Sequence, residues 1–337
     1  MIGYGTITGQ VMGLAQCGRL WDFRFKLTEK NMEIKMIKQF DGKRPLEEEK
    51  EVFLKTACNF LENIWFSDEQ VNGRPKADPR EILKHLMVMS YNAMSYRRAI
   101  SDLKILYNQG FIQKIISRST LNDYANNDKT IALLERLIQV SSTFFKDDED
   151  TLIVDSTWFG ERMYSGGHTE VHGSKCGATN TRKIHVGILK NSKVICFAKA
   201  TRGVAHDSPI FKEILTRSAE LFNLKYCLGD KGYCSKESYI LCDEKGITPF
   251  LDFRANCKAK GGGSGAWKQQ IDVWKNKPEV WKESYRYRVV IEGVFSVIKK
   301  KNSCYLRSRK QVSRDVEMLL KCLVYNLSII GKNLGQF

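Results

Sequence analysis

The spacing of apolar residues along this chain changes near residue 146, and the change divides it into two textures. Residues 1 to about 40 are mixed and basic and predict no element. From Pro45 the pattern is helical, with Val52, Phe53, Cys58, Leu61 and Trp65 at roughly helical intervals and acids in the first turn, where the helix dipole favours them. A break at SDEQVNGRPKADP precedes PREILKHLMVMSYNAM, for which Asp78 is the expected N-cap and Pro79 the first helical residue. SYRRAISDLKILY and SRSTLNDYANND start two more short helices, the second capped by Ser or Thr. Short helices joined by tight turns resemble a helix-turn-helix module, although small bundles without DNA contacts share the pattern.

After KDDED, residues 146–150, short β-branched runs take over. TLIVDST reads as a strand ending in an acid, and KIHVGIL and VICFAKAT as a hairpin closed by KNSK. SPIFKEILTRSAELFN predicts a helix capped by Asp207 or Ser208, with Pro209 in its first turn. A strand (KYCLGD), a helix (SKESYILCDEK), a strand (ITPFLD) and a Gly-rich break (KGGGSG) follow. Strands interleaved with helices in this order predict an α/β layered domain.

The stretch YRYRVVIEGVFSVIKK, residues 285–300, predicts one further helix with two stripes. With Tyr285 at zero, Arg288, Glu292 and Lys299 fall at roughly 300–340°, while Val290, Ile291, Val294, Val297 and Ile298 span roughly 120–240°. A solvated face with an Arg288–Glu292 pair would give this wheel. A metal-binding Glu292 flanked by phosphate-handling cations would give it too, but only with carboxylates supplied from elsewhere in the chain.

Composition narrows the partner. The formal net charge is +16, with 42% hydrophobic and 27% charged residues, which describes a folded chain suited to an anionic partner. The excess is concentrated. Twelve Lys or Arg face four Asp or Glu between Trp267 and Lys310, and eight face one between Arg162 and Arg202. No run of 18 apolar residues occurs, the first twenty residues lack the features of a signal peptide, and the ten cysteines form no CxxC pair. The expected location is cytoplasmic and nucleoid-associated, with no membrane partner.

Candidate chemistry centres on three acids: Asp155 and Asp230 at predicted strand ends, and Glu292 on the late helix. Strand ends are where α/β proteins build sites, and paired divalent ions need carboxylate oxygens from several directions. Either aspartate alone could be a turn residue. Their joint placement with Glu292 points to metal-dependent phosphate chemistry.

The order VDST, then GATNTRKIHVGILKNSKVICFAKATRGVAHDSPIF, then LGDKGYCS, then Tyr-x2-Arg-x3-Glu-x6-Lys resembles the DDE transposases of prokaryotic insertion sequences, in the group related to the IS four and IS five families. The resemblance covers roughly residues 150–330, and GRPKADPREILKHLMVMSYNAMSYRRAISDL is similar to the amino-terminal helical region of those proteins. The Tyr-Arg-Glu-Lys signature is met in full at Tyr285, Arg288, Glu292 and Lys299, and Gly232-Tyr233 follows the second aspartate as is typical.

The resemblance implies an RNase H-like mixed sheet flanked by helices at residues 150–255 and 284–337. It implies an all-helical domain at 1–145 for DNA-end binding or dimerisation, and a short insertion at 256–283. Asp155, Asp230 and Glu292 would bind two Mg²⁺, with Mn²⁺ as a substitute. Tyr285, Arg288 and Lys299 would contact phosphates at the transposon end; Lys300, Arg182 and Lys183, within the two basic blocks, are further expected DNA contacts. The expected partners are double-stranded DNA, as transposon ends and target, and a second copy of the chain in the synaptic complex. The expected activity is cleavage at the element ends and transfer of the 3′ hydroxyl. A domesticated DNA-binding protein would be expected to lack one acid, and a stand-alone RNase H-like nuclease to lack the helical region.

Weaker features complete the picture. His168-x3-His172-x3-Cys176 has zinc-like spacing in a Gly/Ser-rich stretch that disfavours a helix. His206-Asp207 could belong to a phosphohydrolase, but capping by Asp207 is the simpler expectation. Trp267, Trp274 and Trp281 recur every seven residues and are read as a packed seam rather than a base-stacking platform, with Pro278 interrupting any long helix. KGGGSG is read as a flexible loop. Asn326, inside an apolar carboxyl-terminal helix that packs on the core, is expected to make an internal hydrogen bond.

Overall fold

In the computed structural model of this 337-residue chain, the described residues are 48–64, 77–160, 181–253, 257 and 265–333. The helical first half begins with α1 (Glu49–Glu62), α2 (Pro79–Tyr91), α3 (Tyr96–Asn108), α4 (Arg118–Ala125) and α5 (Asp128–Ser142). The predicted caps hold: Asp78 accepts from the Arg80 N–H at 2.8 Å with Pro79 opening α2, and Ser117 accepts from Thr120. The zinc-like spacing at His168, His172 and Cys176, and most of KGGGSG, lie outside the described residues.

A 3₁₀ turn (Thr143–Asp148) leads into β1 (Thr151–Gly160), followed by β2 (Thr181–Leu189) and β3 (Ile195–Arg202). Then come α6 (Ser208–Leu221), β4 (Tyr226–Gly229), α7 (Lys236–Glu244) and β5 (Thr248–Leu251). The sheet order is β3-β2-β1-β4-β5, antiparallel across β3, β2 and β1 and parallel across β1, β4 and β5. This is the RNase H-like mixed sheet that the sequence implied. The β2–β3 hairpin turns at KNSK as expected, held by the Glu149 carboxylate, which accepts from the N–H groups of Asn191 and Ser192.

Alternation of side chains along β1 and β2 assigns the layers. From one face Ile214 of α6 meets Gly187. From the other, α11 (Gln311–Asn333) pairs its Asp315 with Arg182 and holds its buried Lys321 amine over the Phe159 ring. Helices α1, α2 and α5 all pack on α11, so the helical first half and the sheet share one hydrophobic core. Asn326 joins them: its side chain accepts from the Ile195 N–H and donates to the Ile195 carbonyl and to Ser141 of α5. The expected internal hydrogen bond is thus threefold, and it is fully buried.

Beyond β5, α8 (Gly265–Asn276) and α9 (Pro278–Tyr285) are separated at Pro278. Trp267, Trp274 and Trp281 all converge on Phe253, with ring centroids at 5.3, 5.4 and 5.5 Å. The tryptophan repeat is a packing device, as the sequence indicated.

One continuous helix from Tyr285 does not form. Tyr285 ends α9, a 3₁₀ turn covers Arg286–Arg288, and α10 runs Val289–Asn302. The buried side chains of α10 are Ile291, Val294, Phe295, Ile298 and Asn302, whereas Val297 is exposed. On the wheel, Phe295 lies at roughly 280°, so the polar stripe borders the buried face rather than opposing it. That rotation lets Arg288 and Lys299 reach back to β1.

Candidate active site

Asp155 does not end its strand. The parallel partnership of β1 with β4 stops at the pair Val154–Gly229, while β1 continues to Gly160 against β2. Asp155 and Asp230 are therefore the next residues along two neighbouring parallel strands, at the point where these strands part. Gly229 makes the close approach possible: a Cβ there would lie 2.7 Å from Val154 Cγ2 and 2.9 Å from Leu251 Cδ2.

Each carboxylate is held by the backbone that follows it. Asp155 Oδ1 accepts from the Ser156 N–H at 2.8 Å, and Asp230 Oδ1 from the Gly232 N–H at 2.9 Å. The turn after Asp230 closes through the Tyr233 N–H to the Asp230 carbonyl. Tyr233, fully buried, anchors that turn against Phe211 of α6. This is the packing reason for a Gly-Tyr pair after the second aspartate.

Glu292 joins through Arg288. The guanidinium donates to Asp155 Oδ2 at 3.2 Å and to Glu292 Oε1 at 2.6 Å, so one side chain bridges β1 and α10. Glu292 is 54% exposed, Asp155 only 13%. The buried Nε of Arg288 has no hydrogen-bond partner among the described residues. Burial pushes the Asp155 carboxyl up to about 6, with Asp230 and Asp207 adding repulsion and the Ser156 N–H and Arg288 opposing.

Lys299 donates to Thr157 Oγ1 at 2.7 Å, and burial holds its amine below the usual lysine range. Tyr285 is half-buried beside Trp281, with burial raising its hydroxyl and the nearby Asp252 adding to the rise. Lys300 is exposed.

Two expected DNA contacts are placed elsewhere. Arg182 and Lys183 are both buried, because β2 is an inner strand covered on both faces and adjacent residues must point to opposite layers. Arg182 forms a two-toothed ion pair with Asp315, and Lys183 pairs with Asp207 at 2.7 Å. Neither side chain presents a cation to solvent.

The capping expectation for Asp207 also fails. It occupies the N-cap position of α6, but its carboxylate makes no cap hydrogen bond. Its Oδ1 instead takes Lys183 Nζ, Ser156 Oγ at 2.9 Å and His185 Nδ1 at 3.1 Å. These partners hold the carboxyl far below the usual carboxylate range in spite of burial. A cleft of about 760 Å³ opens beside Asp207 and Gly232, between the first turn of α6 and the length of α7. The signal for this cluster was present in the sequence: a histidine and a lysine within the apolar run of a central strand demand a buried acid.

The donor chemistry suits a hard divalent cation, which takes carboxylate oxygens. Asp155 and Asp230 supply them from adjoining strand ends, and burial first, with repulsion from Asp230 and Asp207 after it, makes the Asp155 charge costly to hold without a cation. Among the described residues no three His, Cys, Asp or Glu side chains stand close enough together to enclose an ion, and Arg288 lies between Asp155 and Glu292.

A mixed sheet of this order, with two aspartates where β1 and β4 part and a glutamate on a helix linked to the first through Arg288, is of the RNase H-like class. Residues 146–327, just over half of the chain, match the family described as the transposase DDE domain, and the chain belongs to that family. No curated protein and no solved structure matches it. Among the described residues no helix is long and apolar enough to cross a membrane, and the described cysteines are all free thiols.

Proposed function

We propose that this transposase binds the terminal repeats of an insertion sequence, cuts DNA at the element ends and joins the freed 3′ hydroxyl to target DNA. Asp155, Asp230 and Glu292 hold two Mg²⁺ ions, or Mn²⁺ in their place. The observation that carries this reading is the single guanidinium of Arg288 spanning Asp155 and Glu292 while Asp230 stands at the adjoining strand end.

When bound, the ions supply Lewis acidity at the scissile phosphate and acidify the attacking water or 3′ hydroxyl. The chain's own residues position and neutralise. Arg288, released from Glu292, becomes free to pair with a phosphate oxygen in bidentate fashion. Lys299 places positive charge at Thr157 of β1, the exposed Lys300 adds a second cation to the same turn of α10, and the half-buried Tyr285 offers a hydroxyl donor near Arg288. In-line attack on phosphorus forms one P–O bond as another breaks, and no covalent protein intermediate is needed.

The helical segment at 1–145 binds the DNA end or a second copy of the chain, and the reaction runs in a homodimer that pairs two ends. Exposed Arg97 and Arg98 on α3 and Arg118 on α4 support the DNA-facing part of this reading. The core at 150–255 and 284–337 carries the chemistry, and within the insertion at 256–283 the tryptophans of α8 and α9 serve packing on Phe253.

The test uses labelled terminal-repeat duplexes with Mg²⁺. Asp155→Asn, Asp230→Asn and Glu292→Gln should each reduce cleavage to background while retaining gel-shift affinity within a few-fold. Full cleavage by any one of them would remove that acid from the site.

A further inference from the structure

Asp207 sits behind the site and touches the residue that holds each catalytic aspartate. Its Oδ1 accepts from Ser156 Oγ, and the N–H of the same Ser156 donates to Asp155 Oδ1. Its Oδ2 faces Gly232, whose N–H donates to Asp230 Oδ1; a Cβ at Gly232 would lie 3.0 Å from Asp207 Oδ2 and 3.0 Å from Asp230 Oδ1. Ser156 and Asp155 are consecutive on a strand and point to opposite faces, so Asp207 approaches from the face opposite Arg288 and Glu292.

The carboxylate is itself fixed. Lys183 and His185 project from β2 on the Ser156 side, both buried, and both meet Oδ1. His185 is oriented in turn by Thr201 at 2.9 Å through its other ring nitrogen, and its Nδ1 also lies 3.4 Å from the Tyr233 hydroxyl. A charge this tightly bonded is a rigid stop rather than a mobile ligand.

We propose that Asp207 is a positioning residue of this transposase: through Ser156 it fixes Asp155 and through Gly232 it seats the Asp230 turn, setting the separation of the two aspartates for a divalent cation. The proposal rests on the reading that Asp155 and Asp230 hold such a cation. Groups that orient metal ligands from behind change metal affinity by roughly 10- to 100-fold when removed.

The experiment titrates Mn²⁺ alone into the full-length protein, reads free Mn²⁺ by electron paramagnetic resonance, and pairs each titration with a melting curve. Asp207→Ala strands the buried Lys183 and lowers the melting temperature, so Asp207→Ala/Lys183→Met is made to remove the pair together. Ser156→Ala cuts the link to Asp155 with little change in packing. The proposal expects Mn²⁺ affinity to fall roughly 10-fold or more in the paired variant although its melting recovers, and several-fold in Ser156→Ala with melting unchanged. Wild-type affinity in the recovered double variant or in a normally melting Ser156→Ala overturns it. If wild type and Asp155→Asn/Asp230→Asn bind Mn²⁺ alike, the metal reading itself fails. If that double variant loses Mn²⁺ while the Asp207 and Ser156 variants keep it, only the positioning role fails.

Discussion

Replacing Asp155 by Asn removes one buried charge while nearly preserving side-chain shape, which makes folding stability a readout of the field inside the site. Burial carries this carboxyl from 3.8 up to about 6. Below about pH 4 both the folded and the unfolded chain hold the proton, and the stabilising contribution of the protonated acid is fully present. As pH rises from about 4 to 6 the unfolded chain releases its proton while the folded chain retains it, so stability falls by about 1.4 kcal/mol per pH unit. Above about pH 6 the loss is complete, at roughly 3 kcal/mol. The assay is urea denaturation of wild type and Asp155→Asn in chelator from pH 3.5 to 8; the difference between the two cancels every other titrating group. Wild type should lose about 3 kcal/mol relative to the variant across that window, and Mn²⁺ at neutral pH should return part of it. A flat difference, or wild type gaining relative to the variant as pH rises, would refute the reasoning, since it would mean that Arg288 and the Ser156 N–H match or outweigh burial.

Arg182→Met leaves Asp315 buried without its cation and should cost about 3–5 kcal/mol in denaturant, with DNA affinity of the folded protein unchanged by anisotropy. Phe253→Ala empties the junction of three tryptophans and should cost about 3–5 kcal/mol, with a red shift of tryptophan emission. Lys299→Met should weaken binding to every DNA sequence alike and lower the salt slope by about one, whereas an unchanged slope would confine Lys299 to its bond with Thr157.

That Asp155 and Asp230 follow adjoining strand runs, and that Glu292 lies on the polar flank of its helix beside Arg288, was legible because each combines a residue type with a place: an acid after an apolar run, or on the polar flank of a helix. Local chemistry also disclosed Asp78 as a cap, a Ser or Thr as the cap of α4, where Ser117 stands, the KNSK turn and an internal hydrogen bond of Asn326. What escaped depends on layers that a one-dimensional reading does not contain. Arg182 and Lys183 counted as cations in a basic block, yet they belong to an inner strand, where each needs a buried acid, Asp315 from α11 and Asp207 from the start of α6. Asp207 looked like a cap because helix starts favour Asp, and the stronger demand from Lys183 and His185 overrode that preference. The helical wheel from Tyr285 set the two stripes too far apart because it left out Phe295 and Asn302, whose burial extends the packed face to the edge of the polar stripe, and the 3₁₀ turn at Arg286–Arg288 shifts only Tyr285 relative to α10.

The central claim is that Asp155, Asp230 and Glu292 converge on divalent metal ions beside DNA. The most direct measurement is anomalous diffraction from crystals of the protein bound to a terminal-repeat duplex and soaked in Mn²⁺. The account predicts Mn²⁺ peaks in contact with the Asp155 and Asp230 carboxylates, with Glu292 swung off Arg288 onto the metal and Arg288 on a phosphate. Mn²⁺ located away from both aspartates, or Glu292 still paired to Arg288 with DNA and metal in place, would contradict it.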